Sequence, residues 1–168
     1  RYIITTYVRD VVFQKNPSEY LEKNLKNKIL VSSENVKYKD EAWGTKNILE
    51  GYNDILLKRY SDELSCNVGV LAGEYKAMMD LLLLNYLVSQ AGNTEHYTDQ
   101  SSFNFIIHNK LVTDSIQIEG LESPWALQLG TINNLNLIGT HSIDIDEYTI
   151  VHQYDRNSEI NESITNRY

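Results

Sequence analysis

Between residues 67 and 104 the chain runs through an apolar strand, a glycine-bearing turn, a long apolar helix and a polar helix start, and this order constrains the fold most. In the segment NVGVLAG (residues 67–73), Val68, Val70 and Leu71 read as a short apolar strand. Gly69 and Gly73 lack a Cβ, which permits a close backbone approach or a positive φ. Residues 74–90 read as a helix whose Ala77, Met78, Leu81, Leu82, Leu84, Leu87 and Val88 make a wide face to be buried on a sheet. Ala91, Gly92 and Asn93 supply its end. The segment TDQSSFN (residues 98–104) opens a second helix with Phe103, Ile106 and Ile107 inward. Asp99 and Gln100 thus bring a carboxylate and an amide to the mouth of an α/β layer, where ligands bind. Two plainer readings stand beside this one: Asp99 as a helix N-cap, and Asn67 as a turn residue bonding its own backbone.

Residues 2–8 are rich in β-branched and aromatic side chains and predict a strand, residues 11–13 return to apolar character, and Asn16-Pro17 predicts a turn into a short helix through Leu21. Residues 29–33 predict a second strand, followed by a polar loop to residue 40 whose charged side chains, Glu34 included, read as solvated. Residues 43–60 show helical spacing at Ile48, Tyr52, Ile55, Leu56 and Arg59, interrupted by Gly51. Trp43 and Tyr52 read as core or lid packing. Glu95 and His96 read as a solvated loop pair. Short strands are expected at 116–118 and 126–129, and a turn-like stretch at 133–141. Asp144 and Asp146 alternate with Ile143 and Ile145, which predicts an edge strand with one charged face; an EF-hand's loop glycine and distal Glu are absent. Residues 148–152 predict a strand, and 158–168 a closing amphipathic helix with Ile160 and Ile164 inward.

At 168 residues one substantial core is expected, and 42% hydrophobic residues place the chain among globular proteins. A net charge of -8 without a basic stripe argues against nucleic-acid partners, which need Lys and Arg to displace counterions. Cys66 is alone, so no intrachain disulfide or cysteine-based zinc site is expected, and a reducing, cytoplasmic setting follows, with membrane-peripheral attachment compatible. The longest apolar run, near residues 78–84, is broken by Asp80, so no transmembrane segment is expected, and no signal peptide is visible.

Three segments in order carry a resemblance: RDVVFQ (residues 9–14) with Asn16 and Pro17 after it, NVGVLAG with TDQSSFN, and VHQYDR (residues 151–156). Together they resemble the C-terminal portion of a GT-A type nucleotide-sugar glycosyltransferase, and span nearly the whole chain. The resemblance implies a GT-A-like α/β fold, a mixed sheet with flanking helices, forming a single domain over 1–168. It also implies that the nucleotide-binding βαβ half preceding such a strand is lacking; the chain opens with Arg1 and Tyr2 already in strand-like sequence. The implied reaction moves a sugar from a nucleotide-diphosphate-sugar donor to a hydroxyl of a carbohydrate or glycan acceptor. Asp99 and Gln100 would be catalytic, and Asn67, Gly69, Arg9 and Arg156 would bind the donor. Asp10 and His152 would hold a divalent cation, Mn2+ or Mg2+. The chain departs from the pattern at Tyr7, which stands where a first metal-binding Asp is expected.

Several readings stay open. Asp10 is equally a strand-end carboxylate paired with Arg9, His152 a buried imidazole bonded to a carbonyl, and Arg156 a partner of Asp155. The rival function is a non-catalytic α/β module that binds carbohydrate or protein; Tyr7 favours it. A hydrolase with paired carboxylates fits less well, since no Ser-His or Glu-Glu constellation is evident.

Overall fold

The computed structural model describes residues 1–91, 98–112, 116–131 and 143–167. The readings of Glu95 and His96, of the helix end at 92–93 and of the 133–141 stretch lie outside these residues.

The fold is mixed α/β. Its elements in chain order are β1 (Tyr2–Thr6), β2 (Val11–Phe13), α1 (Pro17–Asn24), β3 (Ile29–Lys37), α2 (Ala42–Gly51), α3 (Asp54–Tyr60), β4 (Leu64–Glu74), α4 (Tyr75–Ser89), α5 (Thr98–His108), β5 (Ile116–Glu119), β6 (Ala126–Gln128), β7 (Ile150–His152) and α6 (Ser158–Thr165). Two sheets form. The larger has the order β1-β4-β3-β5, and the smaller β2-β7-β6. In the larger sheet β4 runs antiparallel to both β1 and β3, while β3 and β5 are parallel.

The apolar runs Ile29–Val31 of β3 and Val70–Ala72 of β4 are buried on both faces of the sheet. Ile29, Val31 and Leu71 turn to one side, against Met78 and Leu81 of α4 and Phe103 and Ile106 of α5. Leu30, Val70 and Ala72 turn to the other, against Leu21 of α1, Trp125 and Ile150. The smaller sheet packs Leu127 and Val151 on Ile160 and Ile164 of α6. Gly73 lies where β4 crosses the start of β3; a Cβ there would collide with the Lys28 carbonyl oxygen.

Four expectations are corrected. The central strand is long, from Leu64 to Glu74, because both its neighbours pair with it. The single helix expected over 43–60 is two helices. It breaks after Gly51, where Tyr52 leaves helical geometry and Asn53 restarts the helix by accepting from the Leu56 N–H at 2.9 Å; Ile55 is exposed and Tyr60 is buried instead. The acidic segment is not a strand: Asp144 caps a 3-10 turn over Ile145–Glu147 by accepting from the Asp146 N–H. The presumed polar loop after residue 33 is mostly strand, and Glu34 in it is 3% exposed, so it is not solvated.

Helix α4 also differs in detail. Met78 and Leu81 are buried, but Leu87 is exposed, along with Tyr75, Met79, Leu83 and Tyr86, on the side turned away from the sheet.

Candidate functional site

A cavity of about 600 Å³ opens where β1 and β3 end, next to the start of α5. Both strands are antiparallel to β4, so they run parallel to each other and end at the same edge, the place where open α/β sheets bind ligands. Asp10, Asn67, Asp99, Gln100 and Arg156 all line it. They come from four separate stretches of sequence. Arg9 is exposed and stands outside the lining residues. Gly69 and His152 sit behind the wall rather than in it.

Tyr7 follows β1, tied by its N–H to the Gly69 carbonyl at 3.0 Å. Its hydroxyl donates to Asp99 Oδ2 at 2.7 Å, and the other Asp99 oxygen accepts from the Gln100 N–H at 2.9 Å. Burial, then the bond to Asp99, pushes the Tyr7 phenol well above its ordinary range, so it stays a neutral donor. The Tyr7 ring meets the His152 imidazole edge-on at 5.5 Å.

His152 ends β7 and is fully buried. Its Nδ1 lies 2.6 Å from Gln128 Oε1, so an Nδ1–H donates there and Nε2 carries the lone pair. That Nε2 has no hydrogen-bond partner and lies 3.6 Å from Asp10 Oδ1. Burial lowers the imidazole's pKa to about 4, against the pull of Asp10, so the ring is neutral. Gly69 makes room for it: a Cβ there would collide with His152 Cε1 and come 2.9 Å from its Nε2. Asp10 is fixed next to His152 through its carbonyl, which accepts from the Gln153 N–H at 2.7 Å. Gln153 takes a left-handed backbone, φ 61, and its side chain accepts from the Gly130 N–H. Arg156 reaches Asp155 at 3.6 Å and is otherwise open to the cavity.

The residue that sequence reasoning missed most clearly is Glu34. Between Ser33 and Lys37, β3 takes four steps against two on β4, an irregularity of the kind that re-aims a side chain. Glu34 Oε1 accepts from Asn67 Nδ2 at 2.8 Å and Gln100 Nε2 at 3.0 Å, and Oε2 accepts from Ser65 Oγ at 3.0 Å. Burial raises its pKa, and these three bonds work against the rise. Asn67 Oδ1 meanwhile accepts from the Gly69 N–H at 2.7 Å. Asn67 lies within β4 and not in a turn; its oxygen does bond the nearby backbone, while its nitrogen belongs to Glu34. Nothing in the sequence set Glu34 apart, since it reads as one more charged residue of the polar stretch after residue 33. Glu41 was also passed over; it caps α2 by accepting from the Trp43 and Gly44 N–H groups, and it lines the cavity with Trp43.

Among the described residues the wall carries four carboxyl groups, Asp10, Glu34, Glu41 and Asp99, against one guanidinium, Arg156. Such a wall accepts hydrogen bonds from hydroxyl groups and repels a bare diphosphate unless a cation intervenes. Among the described residues no group of three or more His, Cys, Asp and Glu side chains is arranged to hold a metal. The two that would hold a cation are Asp10 and His152, with Asp10 Oδ1 3.6 Å from the unpartnered His152 Nε2. Tyr7, bonded to Asp99, offers no third ligand in this arrangement.

No family model matches the chain, and no match is found among curated proteins or among solved structures. Among the described residues, no helix is long and apolar enough to cross a membrane.

Proposed function

We propose that this chain is the C-terminal part of a GT-A-like glycosyltransferase catalytic domain, moving a sugar from a nucleotide-diphosphate donor to an acceptor hydroxyl. The observation that carries this reading is the convergence of Asp10, Asn67, Asp99, Gln100 and Arg156 on one cavity at the ends of β1 and β3. The mixed sheet with one reversed strand and the acceptor-rich wall also support it.

In this reading Asp99 faces the acceptor. Each of its oxygens already accepts one hydrogen bond and keeps a second lone pair, so the carboxylate can take the proton of an attacking hydroxyl. Gln100 offers sugar hydroxyls its side-chain oxygen, and Asn67, bonded to Glu34 and to the Gly69 N–H, has one N–H and one oxygen lone pair left for them. Arg156 meets the diphosphate as the anomeric bond breaks and negative charge collects on the leaving group. A bound Mn2+ or Mg2+ would offset that same charge, and Asp10 and His152 are the residues that would hold it. The setting proposed is cytoplasmic.

Tyr7 favours a second reading, a non-catalytic carbohydrate- or protein-binding module, because it occupies the expected position of a metal-binding carboxylate. Thermal shift of the full-length protein with a panel of nucleoside diphosphates, with and without manganese, separates the two. The transferase predicts one nucleotide that raises the midpoint; at about 100 times its Kd the gain is about 2.7 kcal/mol. Manganese should deepen that shift, and Asp10→Ala should abolish the manganese effect. A flat response to every nucleotide would move the assignment to the module.

A further inference from the structure

We propose that Glu34 is the positioning residue of this cavity: its buried carboxylate sets the orientation of the two amides, Asn67 and Gln100, that face the ligand. Its part in sugar transfer rests on the reading above; its hold on the two amides does not.

The argument starts from the number of donors. One oxygen of Glu34 takes both amide nitrogens, at 2.8 Å and 3.0 Å, and the other takes the Ser65 hydroxyl at 3.0 Å. An amide side chain has two chemically different ends, and nothing but its partners decides which end faces a ligand. With Nε2 drawn to Glu34, Gln100 turns its carbonyl end away from that carboxylate. Asn67 is held at both ends, by Glu34 at its nitrogen and by the Gly69 N–H at its oxygen. The backbone of Gln100 is anchored from behind, since Asn104 Nδ2 donates to its main-chain carbonyl and the same Asn104 brackets Cys66 of β4. Glu34 is 3% exposed, so these bonds have little competition from water. It is also next to Asp99 through Gln100, so slack in this network would reach the carboxylate that meets the acceptor.

The geometry separates positioning from chemistry. A glutamine at 34 can repeat the whole pattern: its Oε1 accepts from both amides and its Nε2 donates to Ser65 Oγ. An aspartate keeps the charge but is one methylene shorter and cannot reach all three donors. A leucine keeps the bulk and removes every acceptor. The test compares Glu34→Gln, Glu34→Asp and Glu34→Leu in the full-length protein, following kcat and KM and the side-chain amide NMR signals of Asn67 and Gln100.

Positioning predicts that Glu34→Gln stays within about 3-fold of wild type in kcat/KM, that Glu34→Asp loses on the order of 10-fold or more, and that Glu34→Leu loses about 100-fold. The amide signals should stay near their wild-type shifts in the Gln variant and move toward solvent values in the Asp and Leu variants. Should Glu34→Leu not fold, the order of Gln and Asp still decides. Aspartate outperforming glutamine would overturn the proposal, because charge and not geometry would then be what the site needs. Unchanged amide signals in the Asp variant would overturn it too. If wild type transfers no sugar from any donor, the transferase reading fails, and the amide signals alone decide the role of Glu34 in the same way.

Discussion

Single side chains here are fixed by what lies behind them. Gly69 is the clearest instance, because the imidazole of His152 fills the space a Cβ would take, with Nε2 at 2.9 Å from it. Gly69→Ala must therefore push His152 or bend β4. The expected cost is about 1–3 kcal/mol in chemical denaturation, and the midpoint shift should be accompanied by a changed His152 ring signal. An alanine variant as stable as wild type, with its imidazole undisturbed, would mean that the contact is loose. Tyr7 poses a different question. Its hydroxyl serves Asp99, and its ring closes the cavity side of His152. Tyr7→Asp places a carboxylate next to Asp10 and His152, and affinity for hard cations rises with ligand charge. Manganese should bind that variant about 10-fold more tightly than wild type by calorimetry. Equal binding by both proteins would remove Asp10 and His152 as a cation site.

At the level of elements, α4 shows how a sheet decides what a helix sequence leaves undecided. The sequence is apolar nearly all round, so its helical character is legible while its buried side is not. Leu81 packs on the core, and Leu83 is 59% exposed only two residues later. Leu81→Ala should cost about 2–5 kcal/mol, whereas Leu83→Lys should change stability by no more than about 0.5 kcal/mol. Equilibrium unfolding of the two variants checks this; a large loss from Leu83→Lys would show that the outer side of α4 is covered in the protein in solution. The same division runs through the rest of the chain. β1, α1, α5 and α6 are readable because their periodicity and caps are local, as with Asn16 capping α1 and Asn157 capping α6. The break between α2 and α3 is less so, since Gly51 and Asn53 are individually tolerable in a helix; the backbone at Tyr52 ends the first helix and Asn53 caps the second. Asp10, Asn67, Asp99, Gln100 and Arg156 could be picked out in the sequence, but their common cavity depends on strand order. Glu34 could not be picked out at all. A glutamate between Ser33 and Asn35 looks solvated until Ser65, Asn67 and Gln100 arrive from residues 31 to 66 positions away.

For the molecule as a whole, two buried titratable groups in and behind the cavity wall give stability two opposite dependences on pH. His152 is held neutral by burial, with its pKa lowered from 6.5 to about 4. Below 6.5 the unfolded chain takes up a proton that the folded protein refuses, so this contribution to stability is lost as pH falls toward about 4. Glu34 works the other way. Its folded pKa lies above the ordinary 4.5, so its contribution is fully present below that value and is lost as pH rises through the raised one. Glu34→Gln separates the two, because the amide keeps the hydrogen-bond pattern and has no proton to lose. Its thermal midpoint relative to wild type should rise as pH increases from about 4 toward neutrality, while the acid-side loss attributed to His152 persists in both proteins. A difference between the two proteins that does not vary with pH would mean that Glu34 stays in one protonation state across the range. The buried carboxyl would then contribute geometry alone to this fold.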